Sequence, residues 1–191
     1  MSNEDRRRWN ERYREGAYQS REHPSAVLLE WQNALRGNSA LDIACGRGRN
    51  AIHLASLGFD VDAIDISDIA IQQAVQRANS MDLRVHWITH DLERSLPVEG
   101  PYDLILMIRY VNEPLLSTAI KLLAPQGKIL VEEHLISDAN VIGPTNPRFR
   151  VPPESVQRTL GSLKIEREFE GLVRDPDGSQ AALVRVLAQR V

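Results

Sequence analysis

The sequence predicts an α/β domain built on a doubly wound, mostly parallel sheet of seven strands that ends in an antiparallel hairpin. Three observations predict it. Short apolar segments alternate with helical ones over the first two thirds of the chain, as in parallel sheets with helices on both faces. A glycine-rich loop joins the first apolar segment to the helix that follows it. Two strand-like segments with turn residues between them close the chain.

The parallel strands are predicted from five apolar runs, near residues 40–44, 61–65, 84–89, 102–108 and 127–133. Helices are predicted in the gaps, over residues 50–57, 68–80 and 114–123. Asp68 is expected to cap the second helix, because a short carboxylate accepts hydrogen bonds from the free amides at a helix start. Pro125 and Gly127 are expected to end the third helix.

The C-terminal hairpin is predicted from residues 164–172 and 181–189, which are both strand-like. The segment between them contains Asp175-Pro-Asp-Gly178, whose residue types are typical of turns. These two strands are therefore expected to pair with each other in antiparallel fashion.

An N-terminal helix is predicted from Asn3 to Tyr13, where charged residues recur at helical spacing, and Gly16 is expected to end it. Trp9 and Tyr13 fall on one face of this helix. The two rings are expected either to cover a ligand pocket or to dock the helix on the core.

The glycine loop after the first strand has the pattern DxxxGxG, given by Asp42, Gly46 and Gly48. Glycine allows the backbone to turn with positive φ and to approach a ligand closely. A dinucleotide-binding loop has GxGxxG instead, and Asn50 and Ala51 stand near the place of its third glycine. A carboxylate at Asp42 repels a pyrophosphate and favours a cationic ligand such as S-adenosylmethionine, whose sulfonium and ammonium groups are positive.

Two further acids follow neighbouring strands and fit the rest of such a ligand. Asp65 ends the second strand, where it is expected to accept hydrogen bonds from both ribose hydroxyls. Asp91 follows the third strand, where it is expected to accept from the adenine amino group while the Leu92 amide meets a ring nitrogen. The alternative for Asp91 is a helix-capping or solvated aspartate.

The chain resembles the class I S-adenosylmethionine-dependent methyltransferases, because Asp42, Gly46, Gly48, Asp65 and Asp91 have the order and spacing of that family. The resemblance runs from Trp9 to the C-terminus. It is most similar to the small bacterial tellurite-resistance type and thiopurine-type branch, which also begins with a Trp-containing helix. Three segments match that branch: 109–110, 125–131 and 143–149.

The resemblance implies a Rossmann-like fold in a single methyltransferase domain over residues 1–191, with S-adenosyl-L-methionine as cofactor. It also implies an N-terminal helical cap over residues 1–35 that covers the cofactor, and a substrate-side loop over residues 135–153. The expected cofactor-binding residues are Trp9, Tyr13, Asp42, Ala44, Cys45, Gly46, Gly48, Asn50, Asp65, Ile66, Asp91, Leu92 and Arg109.

The expected catalytic residues lie in the loops that follow the last parallel strands, since ligands gather there in open α/β sheets. Arg109 and Tyr110 follow the fourth strand and are expected to hold substrate or to close the methionine end of the cofactor. A surface arginine and a packed tyrosine are the alternative. His134 or Glu133, at the tip of the fifth strand, is a candidate base, although an anionic acceptor needs none.

The long loop of residues 135–153 carries prolines and two arginines, which is consistent with a substrate lid. Arg148 is expected to attract an anionic acceptor. Arg150 is expected to be an ordinary solvated arginine.

Composition excludes several other function classes. A net charge of −3 gives no general attraction to nucleic acid or anionic membranes, and no apolar run is long enough to span a bilayer. The charged start does not resemble a signal peptide, and the single cysteine, Cys45, excludes an intrachain disulfide, so a cytoplasmic location is expected. Cys45 is interpreted as a small residue that fits the loop. His86 and His90 lie four apart on a strand, roughly 13 Å from each other, so no metal site is expected.

The methyl acceptor is expected to be a small molecule such as a thiol or a chalcogen oxyanion. The segment Arg109-Tyr-Val-Asn lacks the Asn/Asp-Pro-Pro-aromatic motif of amino-nitrogen base methylation, and cytosine chemistry needs a cysteine there. The alternatives are a methyltransferase acting on RNA or protein, a non-catalytic S-adenosylmethionine-binding protein and, against the glycine pattern, an NAD-binding oxidoreductase.

Overall fold

The computed structural model describes residues 3–174 and 178–191. Its seven strands are β1 Ser39–Ile43, β2 Asp60–Asp65, β3 His86–Thr89, β4 Tyr102–Ile108, β5 Leu123–His134, β6 Lys164–Arg174 and β7 Gln180–Gln189. They form one sheet in the order β3-β2-β1-β4-β5-β7-β6. Strands β1 to β5 are mutually parallel, whereas β7 runs antiparallel between β5 and β6. The predicted fold class is confirmed.

Helices occupy the connections between the strands. They are α1 Asn3–Arg14, α2 Ala26–Trp31, α3 Arg49–Ser56, α4 Asp68–Ser80, α5 Glu113–Ala119 and α6 Ser155–Thr159. Single turns of 3₁₀ helix occur at Gln32–Ala34, Ile120–Leu122 and Pro147–Phe149. No helix in the described part of the chain is long and apolar enough to cross a membrane.

Two hydrophobic clusters cover the two faces of the sheet. One face packs against α2 and α3 through residues such as Val27, Trp31 and Leu54. The other packs against α5 and α6 through residues such as Leu116 and Leu160. Because both faces are covered, the carboxyl edge of the sheet is left for the loops that carry polar residues.

The start of α4 differs from the prediction. Ser67, rather than Asp68, is the N-cap, and its side chain accepts a hydrogen bond from the Ala70 amide at 3.1 Å. Asp68 is already inside the helix, and its Oδ1 accepts from Asn10 Nδ2 at 2.7 Å. The cap assignment to Asp68 is therefore wrong, because its carboxylate contacts α1 instead.

The helix predicted up to Leu123 ends earlier. The α-helical part stops at Ala119, and β5 begins at Leu123, which pairs with Tyr102 of β4. Pro125 therefore lies near the start of strand β5 instead of after a helix. The next residue, Gln126, has a positive φ of 64°. Tertiary pairing with β4 overrides the local helical pattern.

The C-terminal hairpin agrees with the prediction, since β6 and β7 pair over ten residues on each strand. Of the predicted turn, residues 175–177 lie outside the described part of the chain. β7 also pairs with β5, which places an antiparallel strand directly beside the last parallel one.

Candidate active site

The sheet reverses its strand order between β1 and β4, and the residues that follow these two strands have unusual backbone conformations. Ala44 follows β1 with φ of 57°, and Arg109 follows β4 with φ of 59°. Non-glycine residues seldom adopt this left-handed region, and such strain concentrates at functional sites. A crevice at a reversal of this kind is the usual ligand site of an open α/β sheet.

The glycine loop is closed by backbone hydrogen bonds from Cys45 to the Ile64 carbonyl at 2.9 Å and from Gly48 to the Cys45 carbonyl at 3.0 Å. Its two glycines do different things. A Cβ on Gly46 would lie 2.8 Å from the Tyr13 hydroxyl oxygen, so this glycine leaves room on the side of α1. A Cβ on Gly48 would meet the Trp87 ring, so the absence of a side chain at Gly48 allows this ring to pack there.

Asp65 lies at the end of β2 and is 7% exposed. Its Oδ2 accepts a hydrogen bond from the Gly46 amide at 2.8 Å, and its Oδ1 accepts from the Ser67 amide at 2.9 Å. Burial raises its pKa, and these two amides together with that of Ile66 oppose the rise. A carboxylate has about four lone-pair positions, so three amides leave capacity for another donor such as a hydroxyl.

Asp42 lies in the middle of the sheet on β1 and is 1% exposed. Burial raises the pKa of this carboxyl to about 7; the Ala51 amide and Arg49 lower it, and Asp65 raises it further. Within the described residues, its Oδ2 has no hydrogen-bond partner. A buried carboxylate that is costly to ionise beside a second carboxylate is stabilised by a cation in its neighbourhood.

The N-terminal helix lies over this loop. Tyr13 is buried, and its pKa is raised well above the usual range, first by burial and then by the Asp65 charge. The Trp9 ring lies 6.0 Å from the Tyr13 ring, centroid to centroid. The Ser67 hydroxyl donates to Asn10 Oδ1 at 2.7 Å, which ties α1 to the start of α4. Tyr13 thus lies next to the glycine loop, and Trp9 packs beside Tyr13.

The loop after β3 holds a second polar group near Asp65. Asp91 is buried, and its Oδ1 accepts from the Glu93 amide at 3.1 Å within a turn that no helix follows, so Asp91 is neither a helix cap nor solvated. Leu92 packs in the core, and Ile66 is also buried. Tyr110 lies near three acids, Glu93, Asp91 and Asp65. Burial raises the pKa of Tyr110 to about 12, and the charges of these acids raise it as well.

Two of the expected cofactor residues, Asn50 and Cys45, also have a role within the protein itself. Asn50 Oδ1 accepts from both the amide and the hydroxyl of Ser25, at 2.8 and 3.1 Å, so it joins α3 to the start of α2. Cys45 is buried, and its pKa is raised by burial and then by Asp65 and Asp42. A thiol in that environment is inert, which agrees with its interpretation as a residue chosen for its size.

An ion-pair network that sequence reasoning missed lies at the carboxyl ends of β4 and β5. Glu132 is fully buried, and it accepts from Arg109 Nε through Oε1 at 2.9 Å and from Arg185 Nε through Oε2 at 2.8 Å. The sequence shows one part of the signal: Arg185 is a single charge inside the strongly apolar strand β7. A buried charge of this kind requires a partner, but the sequence does not say that the partner is Glu132.

Glu133 and His134 end β5 and are both buried. Burial raises the pKa of Glu133 well above its usual range, more than the Tyr110 amide lowers it. Within the described residues, neither carboxyl oxygen of Glu133 has a hydrogen-bond partner of good geometry. His134 is covered by the loop of residues 135–153, since a Cβ on Gly143 would lie 2.8 Å from His134 Nδ1.

The two arginines of the loop of residues 135–153 have different surroundings. Arg148 is exposed on a 3₁₀ turn, in a position open to solvent. Arg150 was expected to be solvated, and this is wrong: its Nε donates to the Pro144 carbonyl at 2.9 Å and its Nη1 to the Leu135 carbonyl at 2.8 Å. Arg150 therefore fastens the loop to the end of β5.

The remaining polar clusters lie elsewhere. His86 contacts Asp62 at 2.6 Å and His90 contacts Ser95 at 3.0 Å, so the two histidines have separate partners. No group of three potential metal ligands occurs within residues 3–174 and 178–191. A surface cavity of about 700 Å³ between α5 and α6 is lined by Glu113, Arg158 and their neighbours and shares none of the site residues.

Residues 40–127 match the family model described as a methyltransferase domain. The chain is 36% identical over 101 residues to a ubiquinone biosynthesis O-methyltransferase from Caulobacter sp. (strain K31), which covers 50% of this chain and 40% of that protein. It is 37% identical over 70 residues to an uncharacterized methyltransferase of Schizosaccharomyces pombe, covering 37% of this chain and 48% of the relative. The chain thus spans less than half the length of these curated relatives.

Among solved structures, TehB from Haemophilus influenzae superposes with a TM-score of 0.75 at 17% identity, over 86% of this chain and 62% of TehB. The magnesium protoporphyrin IX methyltransferase ChlM from Synechocystis PCC 6803, solved with bound SAM, gives 0.63 at 20% identity over 87% and 76% of the two chains. The chain therefore has the seven-stranded, Rossmann-like methyltransferase fold, and its match to the methyltransferase-domain family covers residues 40–127.

Proposed function

We propose that this protein is an S-adenosylmethionine-dependent methyltransferase that moves the methyl group by in-line displacement onto a small nucleophilic acceptor. One observation carries the proposal: Asp42 and Asp65, both buried, lie beside a glycine loop at the point where the strand order reverses. The burial that raises the pKa of Asp42 to about 7 is offset by a cationic ligand, and the methyl donor is a cation.

The residues present fit this cofactor. Asp42 has a carboxyl oxygen without a hydrogen-bond partner in the described residues, and Asp65 retains capacity for ribose hydroxyls. Bound there, the cofactor supplies an electrophilic methyl group. Tyr13 and Trp9 then exclude water from it, and Asp91 is proposed to meet the adenine. The remaining residues proposed to line the cofactor pocket are Ala44, Cys45, Gly46, Gly48, Asn50, Ile66 and Leu92.

On the acceptor side, we propose Arg109, Tyr110, His134 and Arg148. Arg109 and Tyr110 follow β4, and His134 ends β5, so all three lie at the carboxyl edge of the sheet. Arginine favours an acceptor with an anionic oxygen or sulfur, such as a thiolate or a chalcogen oxyanion. For such an acceptor, positioning and exclusion of water supply most of the rate, and no base is needed.

We also propose that residues 1–191 act as one domain, with residues 1–35 as the cap and residues 135–153 as the substrate-side loop. The contact between Tyr13 and the glycine loop supports the first assignment, and the contact of Gly143 with His134 supports the second. The tellurite-resistance and thiopurine branch remains our proposal for the nearest relatives in function.

Calorimetric titration with S-adenosylmethionine, S-adenosylhomocysteine and NAD tests the proposal. We expect a dissociation constant of roughly micromolar for the adenosyl ligands, about 8 kcal/mol, and no heat with NAD. Asp65→Asn is expected to weaken binding by about 1.5 to 3 kcal/mol, the scale of hydrogen bonds to a charged group. Asp60→Asn, an exposed acid on the same strand, is the matched control and is expected to bind normally.

Four outcomes contradict parts of the proposal. Binding of NAD alone overturns the cofactor assignment, as does an absence of binding by any of the three ligands. Binding of the adenosyl ligands without methylation of thiols, selenite, tellurite, RNA or protein favours a non-catalytic binding protein. Transfer to RNA or protein alone overturns the small-molecule assignment.

A further inference from the structure

Arg109 is held in one orientation by two contacts with the same residue of the neighbouring strand. Its amide donates to the Glu132 carbonyl, and its Nε donates to Glu132 Oε1 at 2.9 Å. With the positive φ of Arg109, these contacts turn the side chain back onto β5. The orientation of the Arg109 guanidinium therefore depends on where the Glu132 carboxylate is fixed.

Glu132 is fixed in turn by Arg185. The two residues are direct partners in the antiparallel pairing of β5 with β7, and Arg185 Nε donates to Glu132 Oε2 at 2.8 Å. Arg185 has further contacts: its Nη1 lies 3.2 Å from Glu30 Oε2 on α2, and its Cζ lies 6.0 Å from the Phe169 ring centroid. A continuous chain of charged contacts thus joins the N-terminal cap to the end of β4.

The network is poorly explained by stability alone. Glu132 is fully buried and the side chain of Arg185 is 6% exposed, so both charges are removed from water. Desolvation of a buried ion pair commonly cancels its attraction, and apolar residues of similar volume stabilise a core at least as well. The attraction within this buried pair is therefore a weak reason for its presence in the sheet, whereas an arginine bonded to Glu132 gains a fixed orientation.

We propose that Glu132 and Arg185 are positioning residues that hold the Arg109 guanidinium toward the methyl acceptor. This inference rests on the proposed function, in which Arg109 is one of the residues proposed to contact the acceptor. A guanidinium whose Nε is bound to a fixed carboxylate keeps one orientation, and an arginine fixed beside the acceptor favours acceptors with an anionic or strongly polarised oxygen or sulfur. Misplacement of such a group by about 1 Å costs about 100-fold in rate.

The test compares Arg185→Lys and Arg185→Met with the wild-type protein. Lysine retains the charge but replaces the rigid fork with a point charge, and methionine removes both. We expect kcat/KM for tellurite and for an aryl thiol to fall about 10-fold in Arg185→Lys and about 100-fold in Arg185→Met, with unchanged affinity for S-adenosylmethionine. Glu166→Gln is the matched control, because it breaks the 2.7 Å Lys128–Glu166 pair at the other end of β5 and leaves the site intact.

A second readout does not depend on turnover. In an NMR spectrum of arginine side chains, the Nε–H of Arg109 is expected to exchange slowly with water in the wild type and in Glu166→Gln, and faster in Arg185→Met. An unchanged Arg109 exchange rate in Arg185→Met overturns the positioning role. So does a loss of cofactor affinity in parallel with activity, since that indicates general unfolding. If the wild type binds no adenosyl ligand, the proposed function fails while the exchange experiment still decides the role of Arg185.

Discussion

Tyr13 and Gly46 meet across the interface between the N-terminal helix and the glycine loop, with the tyrosine hydroxyl oxygen 2.8 Å from where a Gly46 Cβ would stand. Gly46 also donates its amide to Asp65, whose charge raises the pKa of Tyr13. The N-terminal helix therefore contacts the glycine loop, and the loop is hydrogen-bonded to the acid at the end of β2.

Gly46→Ala is expected to weaken binding of S-adenosylmethionine by at least 10-fold and to loosen α1 from the loop. The new methyl group meets the Tyr13 hydroxyl, and alanine is also strained at the Gly46 φ of 55°. Titration calorimetry and hydrogen exchange of residues 3–14 measure the two effects.

Gly58→Ala is the matched control for Gly46→Ala. Gly58 also has a positive φ, of 93°, but a Cβ there has no neighbour within 4 Å. Gly58→Ala therefore measures the effect of backbone strain alone, which is expected to lower the free energy of unfolding by about 1 to 2 kcal/mol. Equal losses of stability and equal cofactor affinity in the two variants would remove the Tyr13 contact from the explanation.

Asp42→Asn is expected to stabilise the protein without cofactor while weakening cofactor binding. Burial raises the pKa of Asp42 from 3.8 to about 7, so the folded protein prefers the protonated form. A raised pKa contributes stability that is fully present below the unfolded value and is lost as the pH rises toward the folded value. Asparagine is neutral at every pH. The free energy of unfolding of Asp42→Asn is therefore expected to exceed that of the wild type by an amount that grows between about pH 4 and pH 7 and then stays constant, at up to about 4 kcal/mol.

Urea unfolding at pH 4, 6 and 8 measures this dependence. Asp103→Asn is a control of opposite sign, because the Asn38 and Ser39 amides lower the pKa of Asp103. A lowered pKa contributes stability above the unfolded value that is lost as the pH falls, so Asp103→Asn is expected to destabilise most at neutral pH. A pH-independent difference between wild type and Asp42→Asn would contradict the buried, proton-binding state of Asp42.

The fold could be predicted from the sequence because its determinants are local. Apolar runs bounded by turn residues located all five parallel strands, and the DxxxGxG pattern located the loop between β1 and α3. The errors lie where a distant partner decides. β5 begins at Leu123 because β4 pairs with it there, and Asp68 does not cap α4 because its carboxylate contacts Asn10.

The arrangement of the candidate site could be predicted from the sequence only around the glycine loop. Asp42, Asp65 and the glycines lie on consecutive elements, so their sequence spacing carries the geometry. Glu132 and Arg185 lie 53 residues apart and meet only because β7 inserts beside β5, which no local pattern reveals. The role of Gly48 likewise depends on Trp87, a side chain on a strand two positions away in the sheet.

Arg150→Met is expected to release the loop of residues 135–153 from the end of β5. It removes two hydrogen bonds from a charged donor to the Pro144 and Leu135 carbonyls, each worth about 1.5 to 3 kcal/mol. The methionine stem preserves much of the packing of the arginine, so the loss is assigned to the hydrogen bonds. We expect faster hydrogen exchange and proteolysis within residues 136–150, with a lower free energy of unfolding.

Arg148→Met separates this structural role from substrate binding. Arg148 is exposed on its 3₁₀ turn, so its replacement is expected to change stability by no more than about 0.5 kcal/mol. The proposed role of Arg148 is to attract an anionic acceptor, so the KM of Arg148→Met for that acceptor is expected to exceed the wild-type KM at low salt. The difference in KM is expected to shrink as the salt concentration rises, because salt screens the charge. If Arg150→Met leaves the loop protected, or if Arg148→Met leaves KM unchanged at low salt, the corresponding assignment is wrong. The two arginines, two residues apart, thus make the loop a fastened element with one charge directed outward.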